Sequence, residues 1–146
     1  VQLGYIPAVP KIIGVQSETS SALTRAFRSG VFENLPTSTV ADSICVNVPR
    51  NGVHALSMLR TFNGEMMTVS DKQILEAQSF LSSTAGLFTE PAGAAAYAGF
   101  QKAKTALDPG ALVVVLTTGN GLKDTASAAL GIEVPEHFID TVDEIL

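Results

Sequence analysis

One apolar run near the carboxyl end of the chain constrains the fold more than any other feature. Residues 112–116 read LVVVL, in which three of the five apolar residues are β-branched, and residues 117–121 (TTGNG) end the run abruptly. A short apolar run bounded by turn signals is typical of a strand that is buried on both faces of a parallel sheet. The sequence therefore predicts a central strand at 112–116, parallel to a second strand at 12–16 in the same sheet.

Helix signals separate the strand candidates along the chain. Gly30 and Gly86 each follow a segment of helical periodicity, and Pro91 suits the first position of a helix. Ser70 and Gln73 have the spacing of a capping box, which marks a helix N-terminus. The predicted strands are 12–16, a run within 40–48, 65–69 and 112–116, and the predicted helices are 22–28, 53–62, 71–85, one from Pro91, 125–130 and 135–146. This alternation predicts an α/β fold, a three-layer αβα arrangement with a largely parallel sheet.

The composition of the chain disfavours some classes of binding partner. The 146 residues (1–146) suit a single domain; they carry a net charge of −5 and only 16% charged residues, against a usual share of about 25%. No run of Lys or Arg and no membrane-length apolar segment is present, and the residues after Val1 lead us to expect no secretory signal. We expect no nucleic-acid or membrane partner and a cytoplasmic location. The one cysteine, Cys45, fits a reducing compartment and is interpreted as a buried, inert thiol.

Bare motifs leave the chemistry open. Residues 119–124 begin like the dinucleotide-binding pattern G-x-G-x-x-G, but Asp124 stands where the third glycine belongs. The turn is equally compatible with an ordinary connection from a strand to a helix. No cluster of His and Cys suggests a metal site, and His54 and His137 have no partner at ligand spacing. Glu90, at a predicted helix start, is most simply a residue that interacts with the helix dipole.

Four parts of the chain together resemble threonine synthase and its relatives, the pyridoxal-phosphate enzymes of the tryptophan-synthase-β fold (fold type II). These parts are 10–18 (PKIIGVQSE), 41–44 with 49–51 (ADSI and PRN), 69–77 with 86–95 (VSDKQILEA and GLFTEPAGAA), and 117–124 (TTGNGLKD). Their order is that of the carboxyl-terminal part of the family's large domain. Asn120 departs from the pattern, since threonine synthases often carry His there, and dehydratases share the Glu-Pro-Ala-Gly-Ala run.

The resemblance implies roles for three residues. The hydroxyl that matches Thr118 hydrogen-bonds the pyridine nitrogen of pyridoxal phosphate in this family, Gly119 lets the backbone approach the ring, and Glu90 lies near the ring edge. The Schiff-base lysine and the loop that holds the cofactor phosphate match nothing in this chain, because both precede the matched segments. The resemblance therefore implies a partial domain without its amino-terminal half, with no catalytic residue of its own and no activity alone. The alternative, in which Lys123 replaces that lysine, stays open.

The implied parent reaction converts O-phosphohomoserine and water to threonine and phosphate, so the expected ligand is a small amino-acid substrate. A threonine or serine dehydratase of the same fold is the alternative enzyme. A non-catalytic module, which binds a protein through an exposed sheet edge, is the alternative outside catalysis. We also expect either a homo-oligomer or association with the amino-terminal half, because the incomplete domain would leave apolar surface uncovered.

Overall fold

The computed structural model describes residues 1–132 and 139–144 and is built on a small parallel sheet. Strand β1 (Ile13–Ser17) pairs with β2 (Glu65–Val69), in a register that places Ile13 beside Glu65 and Ser17 beside Val69. Two parallel strands must be joined by a crossover connection, and the connection between β1 and β2 contains two helices. The helices are α1 (Ala22–Ser29), α2 (Gly52–Thr61), α3 (Asp71–Ala85), α4 (Pro91–Ala103) and α5 (Thr125–Ala129). The α/β class with a parallel sheet is confirmed.

Helices cover both faces of the two strands. Successive side chains of a strand point to opposite faces, so neighbouring residues of β1 show what covers each side. On one face, Gly99 of α4 comes so close to Val15 that an added Cβ would lie 2.5 Å from Val15 Cγ2. On the other face, the Gln16 side chain accepts hydrogen bonds from the Thr24 backbone N–H (2.8 Å) and hydroxyl (3.0 Å) in α1. Helix α3 packs against α4.

The core lies between α4, α3 and the strands, and most of its side chains are small. Alanines on α4 allow the helix to approach the sheet closely, whereas Ile74 and Val69 fill the larger spaces. The buried cluster consists of Ala41, Val69, Ile74, Ala77, Ala94, Ala95 and Ala98. Because Glu90, the N-terminal cap of α4, is hydrogen-bonded to Gly119, this packing fixes the 119–121 turn relative to the sheet.

The helix ends follow the local signals in the sequence. Gly30 and Gly86 adopt left-handed conformations, with φ of 81° and 66°, and end α1 and α3. The capping box at the start of α3 is formed in both directions, since Gln73 N–H donates to Ser70 Oγ and Ser70 N–H to Gln73 Oε1. Pro91 is the first residue of α4. These predictions are confirmed.

The predicted central strand at 112–116 is wrong. These residues form no strand, and Leu112 and Val114 are 94% and 76% exposed. Among residues 1–132 and 139–144, the one strand ladder joins β1 to β2, so nothing is placed beside 112–116 to pair with its backbone. A strand that is buried on both faces needs neighbouring strands and covering helices, which an apolar pattern alone does not supply.

The predicted strand within 40–48 is also wrong. The segment holds only a short 3₁₀ turn, Asp42–Ile44, because side chains rather than a neighbouring strand satisfy its backbone. The Ser20 hydroxyl donates to the Ile44 carbonyl (3.0 Å) and accepts from the Val46 N–H (3.0 Å). Cys45 in this loop is half-buried rather than buried.

The carboxyl-terminal helix predicted at 135–146 lies partly outside the described residues, as does His137. The part of that segment that is described contains the 3₁₀ turn Val142–Glu144. Within the residues that the structure describes, no helix combines the length and the apolar character that crossing a bilayer requires.

Candidate functional site

The turn at 119–121 is joined by backbone hydrogen bonds to the segment that leads into α4. Glu90 N–H donates to the Gly119 carbonyl (2.9 Å), and Gly121 N–H donates to the Phe88 carbonyl (3.0 Å). The Thr89 hydroxyl adds a second bond to the Gly119 carbonyl (2.7 Å). Together they form an antiparallel bridge centred on Thr89 and Asn120. Two segments 30 residues apart are thereby held in one fixed arrangement.

The carboxylate of Glu90 occupies the space beside Gly119. A Cβ at position 119 would lie 2.1 Å from Glu90 Oε1 and 2.7 Å from Oε2, so only glycine fits while the carboxylate is there. Gly93, one turn into α4, allows a second close approach, because a Cβ at that position would lie 3.1 Å from the Thr118 backbone nitrogen. The backbone of 118–119 therefore lies directly on the amino-terminal turn of α4.

The buried carboxylate of Glu90 has a cationic partner. Lys123 Nζ lies 2.7 Å from Glu90 Oε2; the Glu90 side chain is only 7% exposed, whereas that of Lys123 is 63% exposed. The hydrogen bond to Glu90 and its negative charge raise the pKa of Lys123, and the charge of Asp42 adds to the effect. The ammonium thus compensates a carboxylate that burial would otherwise disfavour.

The end of the turn leads directly into α5. The Asn120 side chain accepts a hydrogen bond from Leu122 N–H (2.9 Å), which shapes the turn, and Asp124 Oδ1 accepts one from Ser127 N–H (3.0 Å) at the start of α5. The hydrogen bonds from Ser127 lower the pKa of Asp124. Asp124, which spoils the dinucleotide-binding pattern, is therefore the N-terminal cap of a helix.

The structure brings the three residues singled out by the sequence to one place. Glu90 and Gly119 are in contact, and Thr118 is exposed beside them. Sequence reasoning missed the pairing of Lys123 with Glu90, for which no spacing signal exists. It also missed Gln78, which is 3% exposed and donates to the Thr89 carbonyl (2.8 Å). A polar residue on the apolar face of a predicted helix was the available signal for Gln78.

Two further polar residues line a different part of the surface. Arg50 and His54 line a shallow depression of about 420 Å³ at the start of α2, which no residue of the 118–123 turn reaches. In the part of the chain that is described, no three His, Cys, Asp or Glu side chains are grouped as metal ligands.

The comparison with known families decides the class of protein. Residues 3–119 match the family described as pyridoxal-phosphate dependent enzyme. The chain belongs to this family. It is 34% identical to threonine synthase of Methanocaldococcus jannaschii over 137 residues, which cover 90% of this chain and 34% of the relative. It is 39% identical to threonine synthase of Synechocystis sp. over 123 residues, which cover 84% of this chain and 31% of that protein. The chain spans about a third of the length of these curated relatives.

Solved structures confirm the fold of the family. A fungal L-serine ammonia-lyase from Rhizomucor miehei superposes with a TM-score of 0.65 at 22% identity, over 75% of this chain and 36% of the other. A threonine deaminase from T.th. superposes with a TM-score of 0.57 at 25% identity, over 67% of this chain and 36% of that one. The fold type II arrangement that the resemblance implies is thus confirmed.

The residues at the 118–119 turn suit the pyridine side of pyridoxal phosphate. A pyridine nitrogen needs a hydrogen-bond partner, and the Thr118 hydroxyl can donate or accept. Thr118 is exposed, and none of the hydrogen bonds between described residues uses its hydroxyl. The neighbouring Gly119 has no side chain, and the space beside it holds the carboxylate of Glu90, whose charge Lys123 neutralises.

Proposed function

We propose that this chain is part of a threonine-synthase-like lyase that uses pyridoxal phosphate, in which the Thr118 hydroxyl contacts the pyridine nitrogen of the cofactor. The proposed parent reaction converts O-phosphohomoserine and water to threonine and phosphate. The observation that carries the proposal is the uncommitted, exposed hydroxyl of Thr118, on a turn that Glu90 and Gly119 hold against α4. The 34–39% identity to proteins named threonine synthase supports the choice of reaction.

Each residue of the site has a distinct part in this proposal. The cofactor, when bound, supplies the electron sink for elimination and replacement at the substrate's carbon atoms. Thr118 offers a neutral hydroxyl, which does not force protonation of the pyridine nitrogen as a carboxylate partner would. Gly119, which has no side chain, lets the Glu90 carboxylate lie against the turn, and Glu90, paired with Lys123, holds the turn in place. In this proposal the ring edge of the cofactor lies near Glu90.

The exposed apolar segment at 112–116 fits a role within a larger domain. We expect further parts of the enzyme to cover these apolar side chains, because a large exposed apolar patch commonly marks a contact surface. The Schiff-base lysine and the phosphate-binding loop are then contributed by parts of the enzyme other than these 146 residues. The isolated chain would be catalytically silent and would associate through its exposed apolar residues, with a second copy or with the rest of the domain.

A dehydratase is the second candidate reaction, favoured by the structural likeness to the T.th. threonine deaminase. Product analysis separates the two candidates in a full-length enzyme that carries this segment. Threonine and phosphate from O-phosphohomoserine support the synthase, whereas 2-oxobutanoate and ammonia from threonine support the dehydratase.

The contact itself is tested by Thr118→Val in the same full-length enzyme. A lost neutral hydrogen bond is worth about 0.5–1.5 kcal/mol, so the dissociation constant for pyridoxal phosphate should rise roughly two- to twelvefold. Thr118→Ser keeps a hydroxyl and should bind nearly as wild type, and Thr117→Val is the matched control on the neighbouring exposed threonine. Wild-type cofactor affinity and turnover in Thr118→Val would refute the assignment.

A further inference from the structure

The carboxylate of Asp71 joins three segments that are distant in the sequence. Asp71 is the first residue of α3 and is half-buried. Its Oδ1 accepts hydrogen bonds from Ser17 Oγ (3.2 Å), at the end of β1, and from the Thr39 hydroxyl; its Oδ2 accepts one from the Val40 N–H (3.0 Å). A carboxylate in the first turn of a helix commonly serves the helix dipole. Here both oxygens also bind groups outside the helix.

The loop that Asp71 holds leads into the candidate site. The Thr39 hydroxyl accepts a hydrogen bond from the Ala41 N–H (3.2 Å), and Ala41 is fully buried in the core. The turn Asp42–Ile44 follows at once and packs against α4. The charge of Asp42 reaches Lys123, whose pKa it helps to raise. Hydrogen bonds and packing thus lead from Asp71 through residues 39–44 to α4, whose N-terminal cap is Glu90.

We propose that Asp71 is a positioning residue, whose carboxylate holds residues 39–42 on the carboxyl ends of β1 and β2 and so fixes the turn Asp42–Ile44 against α4, the helix that Glu90 caps. The importance of this arrangement for a cofactor rests on the proposed function. If the Asp71 carboxylate stabilised α3 alone, its removal would disturb only the first turn of that helix. The Asp71 carboxylate instead binds Thr39 and Val40, in a loop that lies about 30 residues earlier in the chain.

The test compares Asp71→Asn with Asp108→Asn in the ¹⁵N-labelled 146-residue chain. Asp108 is the matched control, because its carboxylate also accepts a backbone N–H, that of Gly110 (2.9 Å), in a turn away from the site. Asp71→Asn should speed amide hydrogen exchange at Val40 by about tenfold, since charged acceptors make the stronger hydrogen bonds. It should also lower the pKa of Lys123, measured by NMR of its side chain. Asp108→Asn should leave both unchanged.

A second variant keeps the test decisive if Asp71→Asn fails to fold. Thr39→Val removes one donor to the carboxylate and leaves Asp71 at the start of α3. It should speed exchange at Val40 and Ala41, with the first turn of α3 unchanged. Unchanged exchange at Val40 in the folded variants, or changes confined to residues 71–74 with an unaltered Lys123 titration, would overturn the proposal. No measurement here uses a cofactor, so a failure of the Thr118 assignment is distinguishable from a failure of this one.

Discussion

Substitution of Gly119 by alanine tests whether the Glu90 carboxylate really occupies the space beside the turn. The added methyl group would lie 2.1 Å from Glu90 Oε1 and 2.2 Å from Cδ, well inside contact distance. The overlap can be relieved if the carboxylate moves, but the carboxylate is then drawn away from Lys123, 2.7 Å from it. Overpacking of this kind costs about 1–3 kcal/mol, so we expect Gly119→Ala to lower the free energy of unfolding by that amount.

The assay is urea unfolding of the chain, followed by circular dichroism. Gly110→Ala is the matched control, because the nearest atom to its added Cβ is Asp108 Oδ1 at an ordinary 3.6 Å. An alanine that fits its site tends to stabilise by about 0.4–1 kcal/mol through the unfolded state, so this control should be neutral or slightly stabilising.

A double substitution identifies the cause of the loss. In a Glu90→Ala background the space beside residue 119 is empty, so Gly119→Ala should lose most of its cost there, and the two substitutions should be non-additive. The reasoning is refuted if Gly119→Ala unfolds at the same urea concentration as Gly110→Ala. It is also refuted if the cost of Gly119→Ala is the same with and without Glu90.

Two further predictions concern Lys123 and the isolated chain. Glu90→Gln should return the raised pKa of Lys123 towards its ordinary value of 10.5, as followed by NMR. A raised pKa of Lys123 stabilises the folded state at pH values below the pKa of the unfolded chain, and this stabilisation is lost as the pH rises through the pKa of the folded state. The wild-type chain should therefore show this loss of stability at high pH, whereas Glu90→Gln should lack it. When the 146-residue chain is incubated with stoichiometric pyridoxal phosphate and reduced with borohydride, we expect scattered lysine adducts and no threonine from O-phosphohomoserine. A single stoichiometric adduct at Lys123 with turnover would instead make the chain a minimal enzyme.

The helix ends that the sequence predicted correctly are set by local chemistry. The capping box of Ser70 and Gln73 and the left-handed glycines Gly30 and Gly86 depend on residues within one or two turns, so their outcome could be derived from spacing alone. The run at 112–116 is different, because an apolar pattern shows that a segment suits burial but not whether partner strands are placed beside it.

The site was predictable in part. The family resemblance brought Glu90, Thr118 and Gly119 together, and the structure places them side by side. The ion pair between Lys123 and Glu90 could not be derived, because it joins residues 33 positions apart that share no periodic pattern. The contacts of Asp71 with residues 17, 39 and 40 could not be derived from the sequence either. An acidic residue at the start of a helix is already accounted for by the helix dipole, so nothing in the sequence pointed to a further role.

The ¹⁵N chemical shift of pyridoxal phosphate, labelled at the pyridine nitrogen and bound to a full-length enzyme that carries this segment, tests the central claim most directly. A neutral hydroxyl partner at Thr118 predicts an unprotonated, hydrogen-bonded nitrogen, whose shift changes in Thr118→Val. In Thr118→Asp the carboxylate should drive the nitrogen to its protonated shift, because a nearby negative charge favours the cationic form. A protonated nitrogen in the unsubstituted enzyme, or a shift that is the same in all three proteins, would contradict the assignment of Thr118 as the cofactor contact.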